Sequence, residues 1–338
     1  MYEAAGPAEA QHLEPQDIAS DFANAVRLGL AQPQKIIPAR YFYDEAGSKL
    51  FEAITTLPEY YPTRTETAIL AVNAGVIASI VGSGRAVIEF GSGSSTKTPL
   101  LLQPLQAAAY VPVDISGEFL AQSAAALARR FAGLPIVPVV ADFTRPFGLP
   151  AAVAVLPQMG FFPGSTLGNL APMAAIDLLR GFATLLGPGS WLVIGLDLAP
   201  GAHRPGAGKS VAMLEAAYDD AAGVTAAFNL NLLHRINREL AGTVRTQDFR
   251  HRAAWNAALG RIEMHLVAHR DTDFHAAGQP FRLSEGETIH TENSYKWTLP
   301  ESRLMARASG WAPVADWTDP AKAFAVHLWQ RHDGAMQP

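Results

Sequence analysis

A glycine turn and two carboxylates, each placed where an apolar segment ends, are the residues whose types and spacing could do chemistry. Gly91 and Gly93 follow the first apolar segment, and Asp114 and Asp142 follow the next two. Because glycine lacks a Cβ, such a turn lets a ligand approach the backbone closely. A carboxylate at the end of the neighbouring strand can accept hydrogen bonds from ribose hydroxyls. The pattern predicts a nucleoside site, with Asp142 and Phe143 flanking the base.

The nucleoside is either a dinucleotide or S-adenosylmethionine (SAM). The full dinucleotide fingerprint needs a glycine at position 96, where the chain has Thr96. An acidic residue just before the turn, Glu89, fits the methyl-donor version better. A pyrophosphate favours a helix N-terminus, whereas a sulfonium cation gains from nearby carboxylates. The residues therefore favour SAM and leave an NAD-dependent oxidoreductase as an alternative.

Composition narrows the class of protein. The chain has 338 residues, 49% of them hydrophobic and 17% charged, which predicts about two folded domains and excludes a disordered chain. It has no cysteine, which excludes disulfides and thiolate metal sites, and we predict no metal site. The net charge of −5, without a basic run, argues against nucleic acid as a partner. We expect no secretory signal, no membrane span and a cytoplasmic monomer.

Strand and helix patterns alternate from residue 86 onward, which predicts an α/β fold with a parallel sheet. The predicted strands cover 86–90, 108–113, 134–140, 153–156, 191–196, 314–317 and 324–330. The predicted helices of this part cover 118–132, 172–186 and 302–309. A capping-box spacing of Thr63 and Glu66 predicts a further helix that begins there and runs to about residue 81.

Residues 199–296 break the alternation with a long helical region at 211–240 and strand-like segments at 261–269 and 281–283. Another amphipathic helix is predicted at 16–31. We therefore predict a nucleoside-binding core formed by 62–198 plus 297–338. A second domain would be formed by 13–61 plus 199–296, after a flexible N-terminus at 1–12.

Several long motifs in this sequence are similar to those of the histidine-specific, SAM-dependent methyltransferases. The motifs lie at 41–51, 57–66, 89–93, 163–170, 217–220, 223–229, 261–264 and 291–296, and the resemblance spans residues 40 to about 330. The family makes trimethylated histidine (hercynine) on the ergothioneine pathway. The resemblance implies a Rossmann-like class I SAM-methyltransferase core with a smaller α+β substrate-binding domain. It also implies L-histidine as substrate, SAM as donor and S-adenosylhomocysteine as product.

The resemblance also implies roles for individual residues. Asn169 and Tyr218 match the positions that hold the substrate carboxylate, and Gly164 lies beside its amino group. Tyr60 matches the residue facing one imidazole nitrogen, whereas Glu292 and Ser294 match those facing the other. Tyr43 matches the tyrosine near the amine, and Met264 lines the pocket. Tyr43, Gly164 and Asn169 are the positions nearest the reaction. The donor site corresponds to Gly91, Ser92, Gly93, Lys97, Asp114, Asp142 and Phe143.

Some interpretations stay open and others are disfavoured. Two alternatives would share much of this pattern. One is a methyltransferase for another small amino acid or amine, and the other is a non-catalytic binding protein that holds a nucleoside and senses an amino acid. The segment 206–210 is like the tail of a P-loop, but His203 stands where that motif needs glycine, so we interpret it as a loop. His265 and His269 have the spacing of helical zinc ligands, but their segment has a strand pattern. No residue is an obvious general base.

Overall fold

The computed structural model describes residues 15–201 and 208–331, so the N-terminus predicted to be flexible and part of the 199–210 loop lie outside the described residues. The helices are α1 Pro15–Leu30, α2 Glu45–Thr55, α3 Tyr61–Val81, α4 Pro99–Leu105, α5 Gly117–Arg130, α6 Ala151–Ala154, α7 Pro172–Leu186, α8 Val211–Ala216, α9 Val224–Glu239 and α10 Leu299–Ala308. The strands are β1 Lys35–Ile36, β2 Ala86–Phe90, β3 Ala109–Asp114, β4 Val139–Val140, β5 Gln158–Phe162, β6 Trp191–Asp197, β7 Phe249–Asn256, β8 Arg261–Ala268, β9 Thr272–Ala276, β10 Gln279–Leu283, β11 Thr288–Tyr295, β12 Trp311–Thr318 and β13 Phe324–Arg331. Short 3-10 helices cover Ala39–Phe42, Thr166–Asn169 and Thr246–Asp248.

The larger sheet has seven strands in the order β12-β13-β6-β5-β2-β3-β4. Strands β2 to β6 pair in parallel, and β13 pairs antiparallel with both of its neighbours. Every residue of β2 is buried, as expected for a parallel strand covered on both faces. Phe90 pairs with Val113, so the glycine turn and Asp114 emerge at the same edge of the sheet. The predicted parallel α/β fold is confirmed.

The smaller sheet has four strands in the order β1-β11-β8-β7, and β9 and β10 form a separate hairpin. Its apolar core joins residues far apart in sequence, including Phe22 of α1, Phe42, Phe228 of α9 and Met264 of β8. Two further apolar clusters pack on the larger sheet. Residues before α3 and residues after β6 therefore share one core, although the proposed domain bounds themselves stay a prediction.

Two predicted strands are wrong in position. The first half of the segment 153–156 belongs to the short helix α6, and the strand follows the segment as β5 at Gln158–Phe162. Short apolar runs do not distinguish a buried helix from a strand, which explains this error. Of the segment 134–140, only Val139–Val140 is a strand, with an isolated bridge from Ile136 to Tyr110. Pro135 and Pro138 lack the N–H that a regular ladder requires.

Helix α3 differs from the prediction at its start. It begins at Tyr61 without a side-chain cap, so the predicted capping box is wrong. Glu66 is instead fully buried and turned toward the interior. By length and composition, α3 is the one helix of the described ranges that could cross a membrane. It packs against β6, β12, β13 and α4, as a core helix does.

A buried histidine in β13 predicts how stability depends on pH. His327 is 1% exposed, and neither ring nitrogen has a partner among the described residues. Burial lowers its pKa from 6.5 to about 4. Because the unfolded chain binds this proton at higher pH, His327 reduces stability by about 1.4 kcal/mol for each pH unit below about 6.5, until its folded pKa is reached.

His327→Leu should therefore gain free energy of unfolding relative to the wild type as pH falls from 6.5 to 4. Urea unfolding at several pH values measures this difference. The matched control is His234→Leu, since His234 is exposed on α9. An unchanged pH dependence in His327→Leu would show that the imidazole is not the group responsible.

Candidate active site

A cavity of about 460 Å³ lies where the carboxyl edge of the larger sheet meets α2 and the smaller sheet. It brings together residues from widely separated parts of the chain. The residues predicted for the site that line it are Tyr43, Tyr60, Gly91, Ser92, Gly93, Lys97, Asp114, Asp142, Phe143, Gly164, Asn169 and Glu292. Met264, Tyr218 and Ser294 do not line it. They are buried next to its walls.

The glycine turn after β2 has the geometry expected from sequence. Gly91 and Gly93 have φ values of +69° and +49°, a region that favours glycine. A Cβ on Gly91 would lie 3.2 Å from Cε1 of Phe143, so a side chain there would crowd this ring. The turn is held by Asp114, whose Oδ2 accepts a hydrogen bond of 2.9 Å from the N–H of Gly93. Burial raises the pKa of Asp114, and its backbone hydrogen bonds oppose the shift.

The loop after β4 forms the other wall of this half of the cavity. Asp142 Oδ1 accepts a hydrogen bond of 2.9 Å from the N–H of Thr144. The Phe143 ring packs edge-on against Phe162, with ring centroids 5.5 Å apart. Asp142 and Phe143 are therefore held in fixed positions opposite the glycine turn.

Glu89 also lines the cavity, at its buried end. Burial raises the pKa of this carboxyl to about 7, and hydrogen bonds from Thr98 and Tyr110 oppose the shift. Both hydroxyls donate to the same oxygen, Oε2. Glu89 thus connects β2 to β3 and to the start of α4, which fixes the floor of the turn.

Glu66 does not line the cavity, but it holds two residues that do, and this role was not predicted from the sequence. Its Oε2 accepts hydrogen bonds from the Lys97 ammonium and, at 2.9 Å, from the N–H of Gly164. A Cβ on Gly195 of β6 would lie 1.8 Å from Glu66 Oε1, so the carboxylate fits only because residue 195 is glycine. Glu66 therefore fixes two predicted site residues relative to each other. The role was missed because the T-x-x-E spacing of Thr63 and Glu66 was interpreted as a helix cap.

The other half of the cavity is lined mainly by aromatic rings. Tyr43 packs edge-on against Phe51, with centroids 5.6 Å apart, and Phe51 packs edge-on against Tyr60 at 6.4 Å. Phe51 was not predicted, although it ends one of the quoted motifs. Burial, followed by the nearby Glu292, raises the pKa of Tyr43 well above its usual value. The phenol therefore keeps its proton at neutral pH.

Glu292 lies on β11 after an irregularity in the pairing between His290 and Glu292, and it is opposite Met264 of β8. Its side chain is partly buried and lines the cavity. Burial raises its pKa to about 7, and the positive charge of Lys296 opposes the shift. Near neutral pH this carboxyl can be either an acceptor or a donor of a hydrogen bond.

Tyr218 and Ser294, both predicted to contact substrate, are held beside the cavity by one buried ammonium group. The Lys296 Nζ atom is 2.8 Å from Tyr218 Oη, 2.8 Å from Ser294 Oγ and 2.8 Å from an Asp197 carboxylate oxygen. Asp197 also pairs with Lys209, the lysine of the rejected P-loop tail. The contact between Asp197 and Lys209 was not predicted from the sequence, because it forms only in the tertiary fold.

Comparison with known proteins identifies the family. Residues 22–331 match the pattern of the family described as histidine-specific methyltransferase, SAM-dependent. The chain belongs to this family. It is 37% identical over 330 residues to a histidine N-alpha-methyltransferase of Mycolicibacterium smegmatis, covering 94% of this chain and 98% of that one. It is 36% identical over 310 residues to the protein of the same name from Mycobacterium tuberculosis, covering 89% and 92%.

A third relative, ergothioneine biosynthesis protein 1 of Neurospora crassa, is 31% identical over 308 residues, which are 86% of this chain and 33% of that one. The predicted family is confirmed, and the chain is a SAM-dependent methyltransferase. The oxidoreductase alternative is not supported.

The residues of the first half of the cavity fit SAM as the family's methyl donor. The turn at Gly91 and Gly93 leaves the backbone accessible, and Asp114 keeps lone pairs free for ribose hydroxyls. The hydroxyl of Ser92 is buried without a hydrogen-bond partner among the described residues. These features fit a polar nucleoside that lies across the strand ends.

Proposed function

We propose that this protein transfers methyl groups from SAM to the α-amino group of L-histidine, three times in succession, and so forms hercynine. The observation that carries the proposal is the shared cavity. It places the glycine turn and Asp114 on one side and Tyr43, Tyr60 and Glu292 on the other. A donor and an amino acid could therefore meet inside one cavity.

When bound, SAM supplies an electrophilic methyl group on its sulfonium and leaves as S-adenosylhomocysteine. The contribution of the chain is to hold the amine in line with that methyl group at about 3–3.5 Å. Gly164 and Asn169 follow β5 at the junction of the two halves, where Glu66 holds the backbone of Gly164. The amine must be neutral at each transfer. Tyr43 keeps its own proton and is therefore not the base. Its oxygen orients the amine by accepting a hydrogen bond from an N–H, which leaves the lone pair free to attack, and the proton lost before each transfer passes to solvent.

The aromatic lining suits the growing charge of the product. A trimethylated ammonium has no N–H to donate, and it is stabilised by the faces and edges of aromatic rings. Tyr43, Phe51 and Tyr60 supply such rings around one part of the cavity. Each methylation replaces an amine N–H by a methyl group, and contact of that methyl group with the rings compensates for the lost hydrogen bond.

Glu292 and Tyr60 give the site its preference for an imidazole ring. Both line the cavity, and both present polar groups that need a partner when buried. An imidazole N–H satisfies an acceptor there. The side chain of phenylalanine or leucine would leave these groups unpaired, which costs binding free energy.

The proposed activity is tested by incubating the purified protein with SAM and each of the twenty amino acids, followed by mass spectrometry. We expect mass gains of one, two and three methyl groups on histidine alone, and none when SAM is omitted. Transfer to a different amine would support the alternative substrate. Binding of SAM and histidine without transfer would support the non-catalytic alternative.

We also propose that the protein acts as a cytoplasmic monomer. The family is described as specific for histidine, a small metabolite, and residues of one chain line both the glycine-turn side and the aromatic side of the cavity. Sedimentation equilibrium should then give the mass of one chain, 36.1 kDa. A larger mass would contradict the monomer, and recovery of the protein in a membrane or secreted fraction would contradict the location.

A further inference from the structure

Lys296 lies at the centre of a hydrogen-bond network that nothing in the proposed reaction has yet used. Its side chain is fully buried, and its ammonium has three hydrogens to donate. Three acceptors lie around it at 2.8 Å, namely Asp197 Oδ2, Tyr218 Oη and Ser294 Oγ. Each hydrogen of the ammonium therefore has one partner, and the positions of the two hydroxyls are fixed.

The ammonium determines the direction of the two hydrogen bonds between Lys296 and the hydroxyls. An ammonium cannot accept, so the oxygens of Tyr218 and Ser294 both accept from Lys296. These two oxygens are themselves 2.8 Å apart, so one hydroxyl donates to the other. That arrangement uses one hydroxyl hydrogen and leaves one to donate elsewhere. If Ser294 donates to Tyr218, the phenol hydrogen of Tyr218 is the one available.

The charge in this network is unbalanced. One carboxylate, Asp197, is paired with two lysines, Lys209 and Lys296, and all three are buried. Burial lowers the pKa of Lys209 to about 8, against the opposing effect of Asp197. Below that pH Asp197, Lys209 and Lys296 together carry a net positive charge, which the neighbouring Glu292 carboxyl offsets only where it is ionised, above about pH 7. An unpaired buried charge is unfavourable. An anion placed at Tyr218 would offset it.

We propose that Lys296 is a positioning residue that makes Tyr218 a hydrogen-bond donor to the carboxylate of the amino acid substrate and makes Ser294 an acceptor. The proposal rests on the proposed function, because it assigns a cause to the recognition of an amino acid there. Lys296 acts through Tyr218 and Ser294 and through its charge, without touching the substrate itself. The cluster thereby selects ligands that carry a carboxylate.

The test compares L-histidine with L-histidinamide, which differs in having a neutral amide in place of the carboxylate. Calorimetric titrations are done in the presence of S-adenosylhomocysteine on the wild type, Lys296→Met and Lys296→Arg. We expect the wild type to prefer histidine and the preference to fall about tenfold or more in Lys296→Met, since hydrogen bonds to charged groups have that magnitude. Lys296→Arg, which keeps the charge, should retain part of the preference.

A purely structural role for Lys296 would weaken both ligands equally and leave their ratio unchanged, which would overturn the proposal. Binding of S-adenosylhomocysteine reports whether each variant is folded. Tyr218→Phe keeps Lys296 and the ring but removes the hydroxyl, so it should lose the same preference even if Lys296→Met fails to fold. A retained preference in Tyr218→Phe would overturn the proposal. A wild type that binds S-adenosylhomocysteine but not histidine would overturn the proposed function, and this inference with it.

Discussion

Glu292→Ala is expected to weaken the binding of L-histidine by about 100-fold or more, with little effect on the binding of S-adenosylhomocysteine. Glu292 lines the half of the cavity that contains the rings of Tyr43 and Tyr60, where the methyl acceptor would bind. Removing it leaves an imidazole N–H without a partner in a partly buried site, which costs several kcal/mol when the lost partner is charged. Isothermal titration calorimetry with each ligand separately measures both effects.

The matched control is Glu285→Ala, which makes the same change on the exposed turn before β11. It should leave both affinities unchanged. Histidine affinity unchanged in Glu292→Ala would refute a role for Glu292 in holding the ring. Loss of both affinities would instead indicate general disruption of the fold.

The affinity of the protein for L-histidine should also depend on pH through Glu292. The pKa of its carboxyl is about 7 because of burial, so the carboxylate form that accepts an N–H dominates above pH 7. Histidine binding should therefore strengthen as pH rises through about 7, and this limb should flatten in Glu292→Gln. A limb of equal size in the variant would assign the titration to another group.

Gly195→Ala should destabilise the protein by about 3 kcal/mol or more and weaken the binding of S-adenosylhomocysteine by at least tenfold. The new Cβ would lie 1.8 Å from Glu66 Oε1, so the carboxylate must move. Its movement breaks the buried ion pair with Lys97 and the hydrogen bond from Gly164. Breaking a buried pair costs about 3–5 kcal/mol, because a charge is left without its partner.

The control for Gly195→Ala is the same substitution at Gly75, whose Cβ would meet no atom within 4 Å on the exposed side of α3. Alanine is a better helix former by about 1 kcal/mol, so Gly75→Ala should be neutral or stabilising. Thermal unfolding and calorimetry measure the two properties. Wild-type stability and affinity in Gly195→Ala would show that Glu66 does not need its observed position.

Many of the residues that would bind the methyl donor SAM could be predicted from the sequence. The turn at Gly91 and Gly93, Asp114 and Asp142 follow three separate apolar segments, and parallel strands end at one edge of their sheet. The local pattern therefore implies that distant residues meet. Local reasoning failed at Glu66. Its spacing from Thr63 was interpreted as a helix cap, whereas its carboxylate makes a tertiary contact with Gly164.

The prediction of residues that would bind the methyl acceptor depended on the family resemblance. Tyr43, Tyr218 and Glu292 lie in segments that share no repeating pattern, and only the packing of α2, α8 and β11 around one core brings them near each other. The place of Phe51 in the cavity and the contact of Lys209 with Asp197 were missed for the same reason. A single aromatic or basic side chain has no periodicity that would distinguish a site residue from one in the core or on the surface.

The sequence by itself determined the parallel α/β core, the glycine turn with its carboxylates, and the family, because these depend on local hydrophobic patterns and on long, ordered motifs. The tertiary structure decided which polar groups are buried together. Glu66 contacts Lys97 and Gly164, and Lys296 contacts Tyr218 and Ser294, across separations that no local pattern encodes. The physical reason is that the cost of burying a charge depends on its neighbours in space, and those neighbours are set by how the two sheets pack.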